Sequence, residues 1–129
     1  MKTEDVFKCL SESDRLRIMN LLAEGPLCGC NIQEILGMGQ VKVSKQLAYL
    51  KKLGAVDSLR EANWVVYRLS EPVNPVLSGN LTMLRTAEAE LAGDLERRKQ
   101  VLAKMVSGEK PAPEPVQRQC CFGKWRCHE

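Results

Sequence analysis

The segment from residue 40 to residue 53 is the most regularly patterned part of this sequence, and it limits the folds available to the chain. Its apolar side chains recur at helical spacing on one stripe, while its lysine, glutamine and serine residues lie on the other faces. A shorter amphipathic helix, which we expect Asn31 to cap, precedes it, and Gly37 and Gly39 separate the two. A short helix, a glycine-containing turn and a second helix with a polar surface predict a helix-turn-helix.

Two strand-like segments follow this second helix directly. Residues 55–60 and 63–69 are rich in Val, Leu, Trp and Tyr, and Glu61, Ala62 and Asn63 join them. A β-hairpin in this position is the wing of a winged helix-turn-helix. The predicted fold class is therefore mainly α with a β-hairpin wing, preceded by a short first helix and by a second helix that Ser13 caps.

Residues 74–107 return to a helical pattern, with leucines that recur at intervals of seven residues in two series. The series are Leu77, Leu84 and Leu91, and Leu81, Leu95 and Leu102, with Glu88 as a polar break in the second. Such a heptad pattern predicts one long helix. Because the stripe is longer than one small core requires, we expect the terminal helices to dimerise the chain. A helix lying across its own domain is the alternative.

These patterns divide the chain into three parts. Residues 1–73 are predicted to form the DNA-binding core, and residues 74–107 the dimerisation helix. Residues 108–129 are predicted to be a proline-containing linker and a cysteine-rich tail.

Positive charge is concentrated around the predicted helix-turn-helix and wing. The whole chain has a net charge of +3, whereas residues 39–70 contain six basic and only two acidic side chains. A basic helix followed by a wing predicts double-stranded DNA as the partner. The candidate DNA contacts are Gln40, Lys42, Ser44, Lys45 and Gln46, which we expect to be exposed on the recognition helix, and Arg60 and Asn63 at the wing tip.

The second chemical feature is the presence of six cysteines. The first residues contain neither a signal-like nor a membrane-spanning apolar run, so we expect a cytoplasmic protein without a membrane partner. Disulfides are rare in that compartment, and thiolates select soft ions, which favours metal or metalloid binding. With a single histidine, His128, no Cys-x-x-Cys and no phosphate-binding loop, we do not expect an enzyme.

The cysteines fall into two candidate ligand groups, Cys28 with Cys30 and Cys120 with Cys121 and Cys127. Side chains two residues apart on an intact helix point about 200° away from each other. We therefore expect Cys28 and Cys30 to converge on one ion only if the first helical turn opens, which would tilt the neighbouring recognition helix. The tail cysteines are an independent site, the source of one further thiolate, or a non-regulatory tail. Cys9 is expected in the core and is the second candidate for a third ligand.

Four motifs carry a resemblance to a known family. In chain order they are Arg15-Leu16-Arg17-Ile18, Leu27-Cys28-x-Cys30, Gln40-x-Lys42-x-Ser44-Lys45-x-Leu47 and Trp64-Val65-x-Tyr67-Arg68-Leu69. Over nearly the whole core the sequence resembles the ArsR/SmtB metalloregulatory repressors, and within them the arsenic-responsive branch. That resemblance implies a homodimer that represses a resistance operon and leaves its operator when As(III) or Sb(III) binds cysteine thiolates. The branch often has a third cysteine where this chain has Gln33, and a histidine where it has Gln46.

Other functions remain compatible with the same residues. Within the repressor class, Cd(II), Pb(II) or Zn(II) binding or oxidation of Cys28 and Cys30 are the alternatives to As(III). A metallochaperone is a remote alternative, because a basic helix followed by a wing has no role in one. The operator sequence, the order of inducers and the binding of organic arsenicals stay open at this point.

Overall fold

The structure is a computed structural model that describes residues 1–106. Its elements are α1 (Thr3–Leu10), α2 (Ser13–Leu22), β1 (Leu27–Cys28), α3 (Gly29–Leu36), α4 (Gln40–Lys52), β2 (Val56–Glu61), β3 (Trp64–Leu69), α5 (Pro75–Ala87) and α6 (Ala89–Val106). The predicted winged helix-turn-helix is confirmed. The predicted linker and the tail ligands Cys120, Cys121 and Cys127 lie outside the described residues. Among the helices of residues 1–106, none combines the length and the apolar composition that a membrane span requires.

The helix-turn-helix consists of α3 and α4 and the short turn between them. Gly37 ends α3 in a left-handed conformation, with φ of 66°, and its N–H donates to the Gln33 carbonyl. A side chain is strained at this φ, so glycine allows the sharp turn into α4. Along α4, Val43, Leu47 and Leu50 are buried at helical spacing, and the predicted recognition helix is confirmed.

The sheet contains one strand more than the predicted hairpin. Its order is β1-β3-β2, with both pairs antiparallel. The pairing of Glu61 with Trp64 leaves Ala62 and Asn63 as a two-residue turn, and Ala62 adopts a φ of 54°. Strand β1 is only two residues long, so it has no alternating pattern that sequence reasoning could detect. It joins the start of α3 to the central strand of the wing.

The single long helix predicted over residues 74–107 is wrong. Glu88, at φ −117° and ψ 105°, ends α5, and α6 turns back to pack against α2 and α3. Leu77, Leu81 and Leu102 are buried in the core of the same chain, and Leu91 is 1% exposed. The heptad leucines therefore cover the protomer's own core, because the break at Glu88 lets both helices pack on it. Dimerisation through terminal helices stays a prediction.

Polar contacts fix α6 on α2. Asp94 is fully buried, and Arg17 donates to it twice, from Nε at 2.9 Å and from Nη2 at 3.0 Å. Arg97 donates a third hydrogen bond at 2.7 Å. The equally buried Asn20 donates to the Leu91 carbonyl at 3.1 Å. These partners satisfy polar groups that would be costly to bury alone. The position of α6 is therefore fixed by hydrogen bonds and ion pairs as well as by apolar packing.

Candidate functional site

Cys28 and Cys30 are already close together in this structure. Cys28 ends β1 and is the extended N-cap of α3, with φ −79° and ψ 160°, whereas Cys30 is the second helical residue. Their Sγ atoms are 2.6 Å apart. The prediction that the first turn must open to bring them together is wrong, because Cys28 lies outside the helix. Helix α3 begins at Gly29, two residues before the Asn31 cap that the sequence predicted.

Asn31 holds this arrangement from inside the first turn of α3. It is 1% exposed, and its Oδ1 accepts a hydrogen bond from the Cys28 backbone N–H at 3.2 Å and lies 2.9 Å from the Cys28 Sγ atom. Its Nδ2 donates to the sulfur of Met105 at 3.4 Å. The side chain of Asn31 therefore links the thiol pair to the C-terminal part of α6.

The two thiols differ in exposure and in acidity. Cys28 is buried and Cys30 is exposed. The hydrogen bond with Cys28 lowers the pKa of the Cys30 thiol to about 7, and the same hydrogen bond, together with burial, raises the pKa of Cys28. Near neutral pH the pair therefore presents a thiolate at its exposed member. Thiolates are the form of cysteine that binds soft ions and reacts with electrophiles.

The thiol pair opens into a cleft of about 310 Å³, which we call the thiol cleft. Its lining comes from three elements: the start of α3, the N-terminal half of α4, and the wing. The polar residues that line it beside the cysteines are Gln33, Gln40, Ser44 and Asn63. Three of these, Gln40, Ser44 and Asn63, are predicted DNA contacts. The candidate ion ligands and part of the predicted DNA-binding surface thus border one space.

Most of the predicted DNA contacts are accessible. Gln40, Lys42, Ser44 and Lys45 are exposed on α4, and Arg60 and Asn63 are exposed at the end of the hairpin. The Lys42 ammonium lies 3.2 Å from the Asp14 carboxylate of α2. This exposed pair is weak, so it leaves Lys42 available to a phosphate group.

The prediction that Gln46 is exposed is wrong. Gln46 is only 9% exposed, and its Nε2 donates to Glu12 at 2.6 Å while its Oε1 accepts from Arg15 at 3.3 Å. The Arg15 guanidinium also lies 4.5 Å from the centroid of the Tyr49 ring. Gln46 therefore fixes α4 against α2. Its helical spacing from the buried residues Val43 and Leu50 was a signal that sequence reasoning overlooked.

Val41 is a surface residue of α4 that the sequence reasoning also missed. Its side chain is 80% exposed, although it is large and apolar. Helical spacing places it on one face with Ser44, Lys45 and Ala48, all of which are exposed. An apolar side chain on such a face is suited to contact with a thymine methyl group.

The described residues supply two close thiols and no complete set of metal ligands. Among residues 1–106, no group of three or more His, Cys, Asp or Glu side chains is placed to hold a metal ion. Cys9 is fully buried in the hydrophobic core, as predicted, and burial raises its pKa. Gln33, which lines the cleft one turn after Cys30, offers an amide rather than a thiolate.

A helix-turn-helix with a hairpin wing defines the class of winged-helix transcriptional regulators. Residues 12–58 match the family described as bacterial regulatory protein, arsR family. An arsenical resistance operon repressor of Bacillus subtilis is 33% identical over 91 residues, which cover 69% of this chain and 87% of that protein. The chain belongs to the ArsR family.

Two further proteins place the chain among its relatives. The arsenic resistance transcriptional regulator ArsR1 of Pseudomonas putida is 42% identical over 69 residues, or 53% of this chain and 54% of that protein. The crystal structure of the AntR antimony-specific transcriptional repressor has a TM-score of 0.56 and 30% identity, covering 66% of this chain and 75% of AntR. The chain spans little more than half the length of several curated relatives.

Proposed function

We propose that this chain is a DNA-binding transcriptional repressor that As(III) or Sb(III) releases from its operator. The observation that supports this most is the position of the Cys28 and Cys30 sulfurs, 2.6 Å apart in a cleft that Gln40, Ser44 and Asn63 also line. The names of the relatives support the choice of ion, since two are arsenic resistance regulators and a third is specific for antimony.

The operator contacts follow from the exposed surface of α4 and the wing. The first turns of α4 enter the major groove, where Gln40, Ser44 and Lys45 contact base edges and phosphates and Val41 contacts a thymine methyl group. Lys42 binds the backbone. Arg60 and Asn63 contact the backbone from the wing.

Cys28 and Cys30 supply two of the three sulfur ligands that an inorganic As(III) or Sb(III) ion favours. The third comes from the tail, whose thiols are Cys120, Cys121 and Cys127. Residues 107–119 connect them to α6, near whose end Met105 contacts Asn31 beside Cys28. At about 3.3–3.6 Å per residue, this connection is long enough for a tail thiol to reach the pair.

Release follows because the ion and the operator use the same cleft. An ion on the thiol pair, with its third ligand, occupies space beside Gln40, Ser44 and Asn63. These side chains then adopt one conformation when DNA is bound and another when the ion is bound. Each ligand therefore weakens the binding of the other. A coupling of about 1.4 kcal/mol lowers the operator affinity tenfold.

A second copy of the chain completes the DNA-binding unit. The apolar side chains Phe7 on α1 and Val76 and Met83 on α5 are 53%, 37% and 71% exposed. Helices α1 and α5 contact each other, so these side chains extend over two neighbouring helices. A homodimer formed there presents two recognition helices to two operator half-sites, as symmetric repressors do.

The test measures, by fluorescence anisotropy, how the reduced 129-residue protein binds the DNA upstream of its own coding region. As(III) or Sb(III) is expected to release the DNA. The double variant Cys28→Ser/Cys30→Ser is expected to bind DNA normally and to lose the response, while the control Cys9→Ala keeps it. Release by Cd(II), Pb(II) or Zn(II) but not by As(III), or by H₂O₂ alone, would replace the metalloid with one of the alternative signals.

A further inference from the structure

We propose that two copies of the chain exchange α6 when they dimerise, so that α6 of each copy packs against α2 and α3 of the other. The inference rests on the homodimer of the proposed function and goes beyond it, because it identifies which chain supplies α6. In the exchanged dimer the partner's Met105 lies against Asn31, the position that Met105 of the same chain has in the single protomer. Each copy thus contributes a residue to the site of the other.

The connection between α5 and α6 is the first argument. It consists of one residue, Glu88, whose ψ is 105° instead of the helical value of about −42°. The sequence around it is Ala87-Glu88-Ala89, and residues 80–92 contain neither glycine nor proline. Alanine and glutamate are among the best helix formers. The local sequence therefore does not require the turn that returns α6 to its own chain, and a rotation at Glu88 directs α6 elsewhere.

The surroundings of this connection are the second argument. Residues 86–90 are all exposed, so a second copy of the chain can approach them. A cavity of about 150 Å³ lies between the connection and α2, where Glu88, Glu90 and Arg17 border it. Well-packed protein interiors contain few voids of this size. Glu88 can therefore change its backbone conformation without displacing tightly packed side chains.

The contacts that hold α6 are the third argument. The Asp94 carboxylate accepts hydrogen bonds from Arg17 at 2.9 and 3.0 Å, and the Leu91 carbonyl accepts one from Asn20 at 3.1 Å. Both contacts join α6 to residues of α2 that lie more than 70 positions earlier in the chain. Because they do not depend on the short connection at Glu88, α6 of a second copy can form them with the same geometry. Domain swapping exchanges identical elements in this way.

The end of α5 is fixed to its own chain, which is the fourth argument. Arg85 donates to the Asn20 side chain at 2.6 Å and to the Asn20 carbonyl at 3.1 Å, and it lies 3.2 Å from the Glu24 carboxylate. Met83, which belongs to the proposed dimer contact, precedes Glu88 by five residues, or about 7.5 Å along a helix. The two connections therefore lie close to the dimer contact, and α6 needs to cross only a short distance to reach the other copy.

The first experiment uses two variants of the 129-residue protein whose reversed charges can be paired only between chains. Arg17→Asp brings two carboxylates together, and Asp94→Arg brings two guanidinium groups together. Each variant alone is expected to melt about 10 °C or more below the unmodified protein. The two variants are then unfolded in urea and refolded as a mixture. In an exchanged heterodimer, both contacts between α2 and α6 join opposite charges, so at least half of the lost melting temperature is expected to return.

The control is the double variant Arg17→Asp/Asp94→Arg, which carries the reversed pair within one chain. Recovery of the melting temperature in the double variant but not in the mixture would overturn the exchange. Sedimentation of the unmodified protein separates this failure from a failure of the proposed function. A dimer whose variants do not recover in the mixture leaves the homodimer standing. A monomer at the concentration that binds operator DNA overturns the proposed homodimer and the exchange together.

The second experiment needs no charge reversal. Protein containing photo-methionine is prepared with and without a heavy-nitrogen label, and the two preparations are unfolded and refolded together. Irradiation should join Met105 to the segment around Asn31, whose side chain lies 3.4 Å from its sulfur. Mass spectrometry should find about half of these cross-linked peptides with one labelled and one unlabelled member. Cross-links between the buried Met38 and α3 are the control, because they should join peptides of one isotope only. The same uniformity in the Met105 cross-links would overturn the exchange.

Discussion

The polar contacts between α2 and α6 are strong, whereas those of the thiol pair in the thiol cleft are weak. Between α2 and α6, the Asp94 carboxylate is fully buried and is held by Arg17 and Arg97 at 2.7–3.0 Å. In the cleft, the Cys28 sulfur has only soft contacts with Cys30 and Asn31, and Cys30 is exposed to solvent. A buried charge tolerates no loss of its partner, whereas a thiol exchanges a weak hydrogen bond for an ion. We therefore expect folding to depend on the first region and the proposed response to ligand to depend on the second.

The largest effect on stability is expected when the buried carboxylate on α6 is removed. Asp94→Ala leaves the Arg17 guanidinium without its main partner and should lower the free energy of unfolding by about 3–5 kcal/mol, measured by urea denaturation. Glu90→Ala is the matched control, because Glu90 is exposed and lies 3.7 Å from the same Arg17, and its expected effect is below about 1 kcal/mol. Equal effects of the two variants would contradict the distinction.

The contact of α2 with α4 should contribute to the stability of the fold, as the contact of α2 with α6 does. Gln46→Ala removes hydrogen bonds to Glu12 and Arg15 and should lower the free energy of unfolding by about 1–2 kcal/mol. It should weaken binding to all DNA sequences alike, since Gln46 orients α4 without touching bases. Gln40→Ala should instead reduce the preference for the operator over unrelated DNA. A selective loss of operator preference in Gln46→Ala would restore Gln46 as a base contact.

Unlike the two helix contacts, the thiol cleft should be recognised by the pH dependence of its thiol reactivity. Because the pKa of Cys30 is lowered to about 7, its thiolate fraction rises as pH increases through 7. The rate of Cys30 alkylation by iodoacetamide should follow that rise. Cys28→Ala removes the hydrogen-bond partner of Cys30, so the midpoint should move toward the ordinary cysteine value of about 8.5. Near pH 7 the rate should then fall about tenfold. An unchanged midpoint would show that Cys28 does not stabilise the thiolate.

The smallest effect concerns the exposed face of α4. Val41→Ala removes two methyl groups from a side chain that makes few contacts in the free protein, so stability should hardly change. If one methyl group is buried against a thymine, operator affinity should fall about fourfold, from about 0.8 kcal/mol. The test compares the operator with a version in which uracil replaces thymine. The difference between the proteins should disappear there, and its persistence would exclude a thymine contact.

The fold was predictable from the sequence where periodicity and glycine positions specify it. The stripe from Val43 to Leu50 and the left-handed Gly37 gave the helix-turn-helix correctly. Periodicity could not give the position of the break near Glu88, because the leucines on both sides fit one helix as well as two. The choice depends on long-range contacts such as Arg17 with Asp94, which no local pattern contains.

The candidate site was predictable in composition and not in geometry. Cys28 and Cys30 were identified as a pair, and the separation expected for a helix was wrong because β1 extends the backbone at Cys28. Strand β1 forms by pairing with β3, nearly forty residues later in the chain. The thiol cleft is a product of that pairing, so the sequence alone could not show that Gln40, Ser44 and Asn63 line it.

The central claim, that an ion on the thiol pair and the operator compete through one cleft, is tested most directly by measuring the arsenite affinity of the protein with and without saturating operator DNA. Because coupling is reciprocal, DNA should weaken arsenite binding by at least tenfold. Unrelated DNA at a concentration that leaves the protein free should have no effect. An arsenite affinity that is the same for free and operator-bound protein would contradict the account.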